Sequence, residues 1–550
     1  MTEPPSIADL LQQGLFHHRQ GQLPQAIERY SDVLRIDPGN PEALYYAAVI
    51  ACQENQFKQG IDLARRALER DGQARVHNLI GKALEREGDP LEAVKSFDAA
   101  IAADPNFAEA HGNRAGLLAK AGLPAEALKG FDRALALDPK AAADWINRGA
   151  LLHELGRHED ALASYDQALA LMPDNPSVQM NRAGVLALLG RFSEAEAAYD
   201  RIIARAPKVA TTYAHKALAV KHQGRLDEAR ALLEQAHKMQ PDDADTALAL
   251  AQTMLLMGDW RAAWPLFERR AALKPPAYHP LAGERWRGQG PGDFRLVVMG
   301  ERGLTDNVQF SRYASLLAAR GYGVTLLAPP ALAPLMRSLP GIEKVATSEE
   351  ELAEDKRRYV WVPLLSTMGM LHLTADAVPV QPPYLSAEPE RAAQWAERLG
   401  TQGFKVGIVW RDGNIGAPIS ALAPLAETPD VRLISLQFGP AANEIAQAGF
   451  GARVERPLDP KAMSAEALLD LVGVIAQLDL VIGIDSLPLH LAGALGRPAF
   501  AALEAVPDWR WLMGRDDTPW YPSIRLFRQS LDRQWLPVFE RIAAEMQASR

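Results

Sequence analysis

The chain has 550 residues, which is too many for one hydrophobic core and predicts several domains. Hydrophobic residues make up 48% and charged residues 23%, as in ordinary soluble proteins, and the net charge of -9 argues against nucleic acid or an acidic membrane surface as the main partner. The single cysteine, Cys52, excludes a disulfide framework and a cysteine-based metal site.

The N-terminal segment, MTEPPSIADLLQQG, lacks the basic stretch and apolar core of a secretion signal. No uninterrupted apolar run in the chain approaches the 18 or so residues that a spanning helix needs. We therefore expect a cytoplasmic protein without a membrane span.

A repeat of about 34 residues fills the first half of the chain. Its units close at intervals of 33 or 34 residues, at Pro38, Gly72, Pro105, Pro139, Pro173, Pro207 and Pro241. A small residue recurs in phase and is followed four positions later by an aromatic ring in most units, as in Ala127 and Phe131. Glycine or asparagine ends the first helix of each unit, as a left-handed helix C-cap requires. The pattern predicts eight two-helix units over residues 7–275.

This period and pattern resemble the tetratricopeptide repeat (TPR), whose units stack into an α-solenoid because none can bury its apolar face alone. The resemblance implies a TPR superhelix with an extended concave face that holds another polypeptide. Arms of this kind often dimerise, so a homodimer stays open.

Three consecutive units carry an Asn-Arg pair at the same phase. The pairs are Asn113-Arg114, Asn147-Arg148 and Asn181-Arg182. Asparagine amides can donate and accept hydrogen bonds with a peptide backbone of any sequence, and the TPR arm of O-GlcNAc transferases carries a comparable ladder. We expect the three asparagines to bind the protein acceptor. The alternative is that they support contacts between repeats while the arginines are solvated.

The second half alternates strand-like and helical segments after a linker, residues 276–293, that is rich in proline and glycine. The strand-like runs are residues 294–300, 323–327, 359–362, 404–410, 431–437, 478–485 and 498–504. Such alternation predicts parallel sheets in an α/β fold. We expect two Rossmann-like halves, residues 294–390 and 391–550, with a C-terminal helix in the second and a ligand cleft beyond the carboxyl ends of the strands.

Three stretches of the second half resemble heptosyltransferase-like GT-B glycosyltransferases that are attached to TPR arms. They are GERGLTDNVQFSRYASLLAARG, LDLVIGIDSLPLHLAGALGRP and VPDWRWLMGRDDTPWYPSIRLFRQ. The resemblance covers residues 294–530 and implies a GT-B fold whose C-terminal half binds a nucleotide-sugar donor. TPR plus GT-B is also the plan of bacterial flagellin glycosyltransferases.

The apolar run 480–484 stops abruptly at Asp485-Ser486, and His490 follows four residues after the serine. Ser486 can cap the next helix, whose exposed N–H groups and dipole favour an anion. Together with the resemblance, this predicts that Asp485, Ser486 and His490 belong to the site for the donor phosphate. The alternative is plain capping, with His490 a hydrogen-bonded core residue.

The resemblance also implies a catalytic base, Asp306, which would take the proton of the acceptor as the sugar leaves the donor phosphate. An Asp at a helix start is otherwise an N-cap. Trp410, Arg411 and Gln437, at the ends of two strands, are the further donor-binding residues that it implies. We expect no cofactor and no metal ion, because no Asp-x-Asp motif stands in a suitable place.

Two positions depart from the family pattern. Thr305 stands where relatives commonly have glycine, and Phe438 where they often have lysine. Fewer cations suit a donor with one phosphate, such as a CMP-activated nonulosonic acid, better than a diphosphate donor; Arg411, Arg510 and Arg515 are candidate replacement charges. Aromatic and charged residues in DWRWLMGRDDTPWYP, residues 508–522, suit either sugar binding or packing at a domain junction.

The expected function is cytoplasmic protein O-glycosylation, in which the TPR arm recruits the acceptor, with flagellin as the best candidate, and the α/β half transfers the sugar. The alternative is a TPR adaptor with a degenerate, non-catalytic GT-B domain, which Thr305 and Phe438 favour. A lipopolysaccharide heptosyltransferase fits the α/β half but leaves the TPR arm without a role.

Overall fold

The structure is a computed structural model that describes residues 5–70, 72–301, 303–378, 383–413, 415–459, 461 and 463–549. The chain divides into two compact units, residues 1–205 and 206–550. Among the described residues, no helix is long and apolar enough to cross a membrane.

The first unit consists of helical hairpins in which each helix packs against the next. Its helices are α1 (Ile7–Arg19), α2 (Leu23–Ile36), α3 (Pro41–Gln53), α4 (Phe57–Leu68), α5 (Ala74–Glu87), α6 (Pro90–Ala103), α7 (Ala108–Lys120), α8 (Pro124–Leu137), α9 (Ala142–Glu154), α10 (His158–Leu171), α11 (Pro176–Leu188) and α12 (Phe192–Arg205). These bounds match the predicted 34-residue repeat.

Small residues and rings at fixed positions explain why the hairpins close. Gly88 ends α5 with φ = 88°, a left-handed conformation that glycine adopts at little cost. Within the same hairpin, a Cβ at Gly81 would lie only 2.6 Å from the ring of Phe97, so only glycine allows the two helices to approach this closely.

The second unit begins with two more hairpins of the same kind. Their helices are α13 (Ala210–Lys221), α14 (Leu226–Met239), α15 (Ala244–Leu256) and α16 (Trp260–Phe267). The TPR solenoid is therefore confirmed for the N-terminal part of the chain.

The rest of the second unit is an α/β structure. Its strands are β1 (Glu284–Arg285), β2 (Arg295–Met299), β3 (Gly323–Leu327), β4 (Lys344–Ala346), β5 (Tyr359–Pro363), β6 (Phe404–Val409), β7 (Arg411–Asp412), β8 (Ile415–Gly416), β9 (Val431–Ser435), β10 (Val454–Glu455), β11 (Leu480–Gly483), β12 (Ala499–Leu503) and β13 (Ile524–Arg528). Its helices are α17 (Leu304–Phe310), α18 (Arg312–Ala319), α19 (Ala333–Met336), α20 (Glu349–Ala353), α21 (Ser366–Met370), α22 (Pro389–Leu399), α23 (Ala423–Ala426), α24 (Ala465–Ile475), α25 (Leu487–Ala494) and α26 (Leu536–Ala548).

The strands form two parallel sheets, with the orders β1-β5-β2-β3-β4 and β10-β9-β6-β11-β12-β13. A separate antiparallel hairpin is formed by β7 and β8. When the six strands of the second sheet are numbered in chain order, they lie in the order 3-2-1-4-5-6 of doubly wound α/β proteins. In such a sheet the strand order reverses between strands 1 and 4, here β6 and β11. Ligands usually bind beyond the carboxyl ends of the strands at this point.

The segment predicted to be a linker, residues 276–293, is partly ordered sheet and core. Its β1 pairs with β5, Glu284 opposite Val360, and Tyr278 and Trp286 are buried. The proline and glycine content did not reveal this, because a two-residue edge strand needs only backbone hydrogen bonds and no apolar run.

The last repeat packs directly against the α/β part of the same unit. Trp260 of α16 stacks on Trp520, with ring centroids 5.2 Å apart, and Trp264 meets Trp509 edge to face at 6.1 Å. Trp509 and Trp520 are buried, so the aromatic stretch 508–522 packs this junction.

Candidate functional site

A cavity of about 800 Å³ lies at the carboxyl ends of β6, β9 and β11, where the strand order reverses; we call it the main cavity. Leu304 and Thr305 reach it from the start of α17, in the half that holds the first sheet. Its other lining residues are Val409, Arg411, Asp412, Gly413, Leu436, Gln437, Phe438, Gly439, Pro440, Ala441, Glu444, Lys461, Met463, Ser486, Leu487 and Pro488.

The N-terminus of α25 reaches the main cavity through Ser486, Leu487 and Pro488. Ser486 has extended backbone, but its hydroxyl does not cap the helix as predicted; it donates instead to the Ile484 carbonyl at 2.9 Å. The positive end of this helix can therefore still attract an anion in the cavity.

Among the residues that the structure describes, the cationic side chains that line the main cavity are Arg411 and Lys461. Arg411 also faces Glu444, with Nε and Oε1 3.1 Å apart. The other candidate replacement charges lie elsewhere: Arg515 pairs with Asp517 at 2.7 Å, and neither it nor Arg510 lines the cavity. Thr305 and Phe438 do line it, so the departures from the family pattern fall at the cavity wall.

Trp410 and Gln437 are held in place by bonds within the protein. Trp410 is fully buried, and its Nε1 donates to Glu444 Oε2 at 3.0 Å. Gln437 Oε1 accepts from the N–H groups of Trp410 and Arg411 at 3.1 and 3.0 Å. Its Nε2 donates to the carbonyls of Arg411 and Phe438 at 2.7 and 2.9 Å. Gln437 thus braces the segment after β6, and its amide has no capacity left for a ligand.

His490 is fully buried and does not line the main cavity. Its Nδ1 lies 2.9 Å from the Tyr521 hydroxyl and its Nε2 lies 2.9 Å from Asp485 Oδ1. The structure therefore does not bring His490 to Ser486 at the cavity wall, as the donor-site hypothesis required. The reason is geometric: Ser486 is in extended backbone before the helix, so spacing by four residues does not put the two side chains on one face.

Asp485 opens instead onto a smaller neighbouring cavity of about 250 Å³, the side cavity, together with Asp412, Glu504 and Asp508. Burial acts to raise the pKa of the Asp485 carboxyl. The hydrogen bond from His490 and the charge of Arg510 outweigh that effect, so the pKa lies below its ordinary value.

Asp306, the expected base, lies in the first turn of α17. Asp306 does not line the main cavity, although its neighbour Thr305 does. Its carboxylate forms an ion pair with Arg510. Arg510 also pairs with Asp508 at 2.5 Å and lies 5.1 Å from the ring centre of Trp509. The structure thus places Asp306 in a partly buried ion-pair network beside the cavity.

Asp412 is a candidate residue that sequence reasoning missed. It lies on β7 and lines both the main cavity and the side cavity. Only Trp410 and Arg411 separate it from the end of β6. An Asp-Gly pair just after a buried strand was the available signal, since polar residues at that end of a parallel strand are often functional.

In the first unit, the arginines and the asparagines of the three Asn-Arg pairs make different contacts. The arginines bond to the preceding helix: Arg114 to Asp98 at 2.5 Å, Arg148 to Asp132 at 2.8 Å and Arg182 to Asp166 at 2.5 Å. Asn113 donates to the Asn78 amide oxygen at 3.0 Å, whereas Asn147 and Asn181 are exposed. The arginines therefore support contacts between hairpins, and two of the three asparagines are accessible to a partner.

Within the described ranges, no cluster of three or more His, Cys, Asp or Glu side chains is arranged to hold a metal ion.

Sequence comparison matches tetratricopeptide repeats at residues 17–83, 78–142, 152–220 and 222–282. Protein FlbA of Caulobacter vibrioides is 31% identical over 338 residues, which cover 56% of this chain and 56% of the relative. The chain thus spans about half the length of the curated relative that it matches.

Solved structures that resemble part of the chain include a TPR protein of Parabacteroides merdae, with 17% identity, a TM-score of 0.32, and coverage of 45% of this chain and 98% of that one. PilF of Pseudomonas aeruginosa is 21% identical, with a TM-score of 0.33 and coverage of 37% of this chain and 92% of PilF. The family match and the helical hairpins show that the N-terminal part of this chain is a tetratricopeptide-repeat solenoid, and such repeats bind peptide or protein partners.

Proposed function

We propose that this chain is a protein O-glycosyltransferase whose TPR solenoid recruits a protein acceptor and whose α/β part, of the GT-B type, transfers a sugar from a nucleotide-sugar donor. The observation that carries the proposal is the main cavity, at the strand-order reversal of a doubly wound sheet. Its volume of about 800 Å³ suits a ligand of nucleotide-sugar size.

The charges at the cavity favour a donor with one phosphate. Phe438 contributes no charge, and the carboxylates of Asp412 and Glu444 offset part of the positive charge. That positive charge comes from Arg411, Lys461 and the N-terminus of α25. These groups would bind the phosphate and stabilise it as it leaves, so the proposal requires no metal ion. A CMP-activated nonulosonic acid, such as pseudaminic acid, fits best, and the resemblance to flagellin glycosyltransferases makes flagellin the proposed acceptor.

Calorimetric titration of the full chain with CMP, UDP, GDP and ADP tests the donor site. We expect CMP to bind and Arg411→Ala to weaken it by about tenfold or more, because a charge-assisted hydrogen bond to phosphate is lost. Arg515→Ala is the matched control, since Arg515 pairs with Asp517 outside the cavity. Tighter binding of UDP or GDP would replace the CMP assignment, and no binding of any nucleotide would contradict the transferase proposal.

A TPR adaptor without catalytic activity is the second candidate. The observation that favours it is that Asp306, Gln437 and His490, all expected to act on substrates, are bonded within the protein. An adaptor would bind flagellin through the solenoid yet bind none of the four nucleotides. Co-sedimentation with flagellin, run beside the titration, separates the two candidates.

A further inference from the structure

The carboxylates around the main cavity differ in what they are free to do. Among the described residues, Asp412 and Glu444 are the two that line it. Glu444 accepts a hydrogen bond from Trp410 Nε1 at 3.0 Å and pairs with Arg411 at 3.1 Å. The Asp412 carboxylate forms no hydrogen bond or ion pair with any described residue.

The carboxylates that sequence reasoning favoured are less suited to take a proton. Asp306 is paired with Arg510, and Asp485 is bonded to His490; neither lines the main cavity. A general base must reach the reacting hydroxyl with an unoccupied oxygen lone pair. Asp412 lines the main cavity with neither oxygen engaged by a described residue, whereas Asp306 and Asp485 each have one oxygen engaged and lie outside the cavity lining.

The backbone around Asp412 is firmly held. The hairpin β7–β8 pairs Asp412 with Ile415 and Arg411 with Gly416. Gln437 makes three hydrogen bonds to the backbone of Trp410 and Arg411, immediately before Asp412. These bonds hold the backbone that carries the Asp412 side chain, and a preorganised backbone of this kind favours catalysis.

The surroundings of Asp412 also suit proton transfer. Partial burial raises the pKa of its carboxyl, and the negative charge of Asp485 raises it further. A pKa moved towards neutrality makes a carboxylate a better base at cellular pH. Asp412 lines the main cavity, so an acceptor hydroxyl that enters beside the donor can reach it.

We propose that Asp412 is the general base of the transfer reaction, an inference that rests on the proposed glycosyltransferase activity. The oxygen of the acceptor hydroxyl forms a bond to the anomeric carbon of the donor. The bond from that carbon to the phosphate oxygen breaks, and the nucleotide leaves with the electron pair beside the N-terminus of α25. The proton of the hydroxyl passes to Asp412 and from there to solvent.

The test compares the full-length wild type with Asp412→Asn, and uses Glu504→Gln as a matched control because Glu504 lines the side cavity but not the main one. Nucleotide release is measured from CMP-N-acetylneuraminic acid, UDP-N-acetylglucosamine and GDP-mannose, each with flagellin as acceptor. Nucleotide affinity is measured by calorimetry. We expect Asp412→Asn to lower kcat by about 100-fold or more with nucleotide affinity unchanged, and Glu504→Gln to keep wild-type kcat.

Two results would overturn the assignment while leaving the transferase proposal intact. One is a wild-type kcat in Asp412→Asn, above all if the kcat of Asp306→Asn falls. The other is loss of nucleotide binding in Asp412→Asn, which would make Asp412 a binding residue. A wild type that binds no nucleotide and releases none would contradict the transferase proposal itself, and the assignment of the base with it.

Discussion

His490 is a buried side chain that connects the turn after β11 to the segment before β13. It links Tyr521 and Asp485, and both of its ring nitrogens are used. Its removal takes one hydrogen-bond partner from each of Tyr521 and Asp485 and opens a cavity in the core, and each change lowers the free energy of unfolding.

We expect His490→Ala to lower the free energy of unfolding by roughly 2–4 kcal/mol while nucleotide affinity stays near that of the wild type. Urea unfolding and calorimetry measure the two quantities. The exposed His279→Ala is the control and should change neither. Normal stability with lost nucleotide binding would instead mean that His490 reaches the donor.

Asp144, in the first turn of α9, couples the stability of the solenoid to pH. Burial raises the pKa of its carboxyl from 3.8 to about 6, and the nearby charges of Asp138 and Glu109 add to the effect. The folded state therefore holds the proton more tightly than the unfolded state. This stabilisation is complete below about pH 4 and is lost as the pH rises through about 6.

We therefore expect Asp144→Asn to stabilise the solenoid above pH 6 by roughly 1 kcal/mol, a value reduced for solvent screening of a partly exposed group. Below about pH 4 it should bring no gain. Hydrogen exchange over α9 at several pH values measures the difference. Asp132→Asn, which removes the ion pair with Arg148, is the control and should not slow exchange at any pH. A gain that does not depend on pH would contradict the explanation.

For these single residues, the sequence predicted the position of the turn at 485–490 but not the direction of its side chains. Composition and spacing place Asp485, Ser486 and His490 near one another along the chain. Whether His490 points to the cavity or to the core depends on Tyr521, which is 31 residues further along and pairs with it only after folding. Long-range partners of this kind leave no periodic signal in a single sequence.

Among the elements, the hairpin β7–β8 depends on glycine at one particular point. A Cβ at Gly416 would lie 2.3 Å from the Trp410 carbonyl oxygen, and its φ of 126° is a conformation that other residues rarely adopt. Gly413, in the same hairpin, also has positive φ but has nothing within 4 Å of a Cβ.

This contrast makes the two glycines a matched pair. We expect Gly413→Ala to cost about 1 kcal/mol, the conformational penalty alone. Gly416→Ala should cost at least about twice as much, because the backbone must also move away from Trp410. Urea unfolding measures both. Equal costs would mean that the hairpin shifts freely, and Asp412 could not then be firmly held.

The sequence predicted the longer elements well because their patterns are local. The solenoid helices follow a 34-residue period, and strands such as β3 coincide with apolar runs of the predicted length. The five-residue strand β13 was missed because Arg525 and Arg528 break up its apolar residues, and so were the short strands β1, β4, β7, β8 and β10. The short strands have two or three residues each, and backbone pairing with a neighbour, rather than an apolar run, defines them.

For the whole molecule, side-chain packing decides where the boundary between the two compact units falls. Composition suggested a division at residue 275, but the compact units divide at residue 205. The reason lies in the last repeat. Arg270, just after α16, is buried and donates to Glu301 Oε1 and Oε2 at 2.8 and 2.9 Å, and Trp260 stacks on Trp520.

A fragment of residues 276–550 should therefore fold poorly, whereas residues 206–550 should fold. Cutting at 275 leaves Glu301 buried without Arg270, and loss of one partner of a buried ion pair costs about 3–5 kcal/mol. It also exposes the faces of Trp509 and Trp520 to water, which favours aggregation. Size-exclusion chromatography and near-ultraviolet circular dichroism of the two fragments measure the difference. A monomeric, well-packed 276–550 would show that the last two repeats belong to the solenoid alone, and the aromatic junction would then have to serve another purpose, such as binding a sugar.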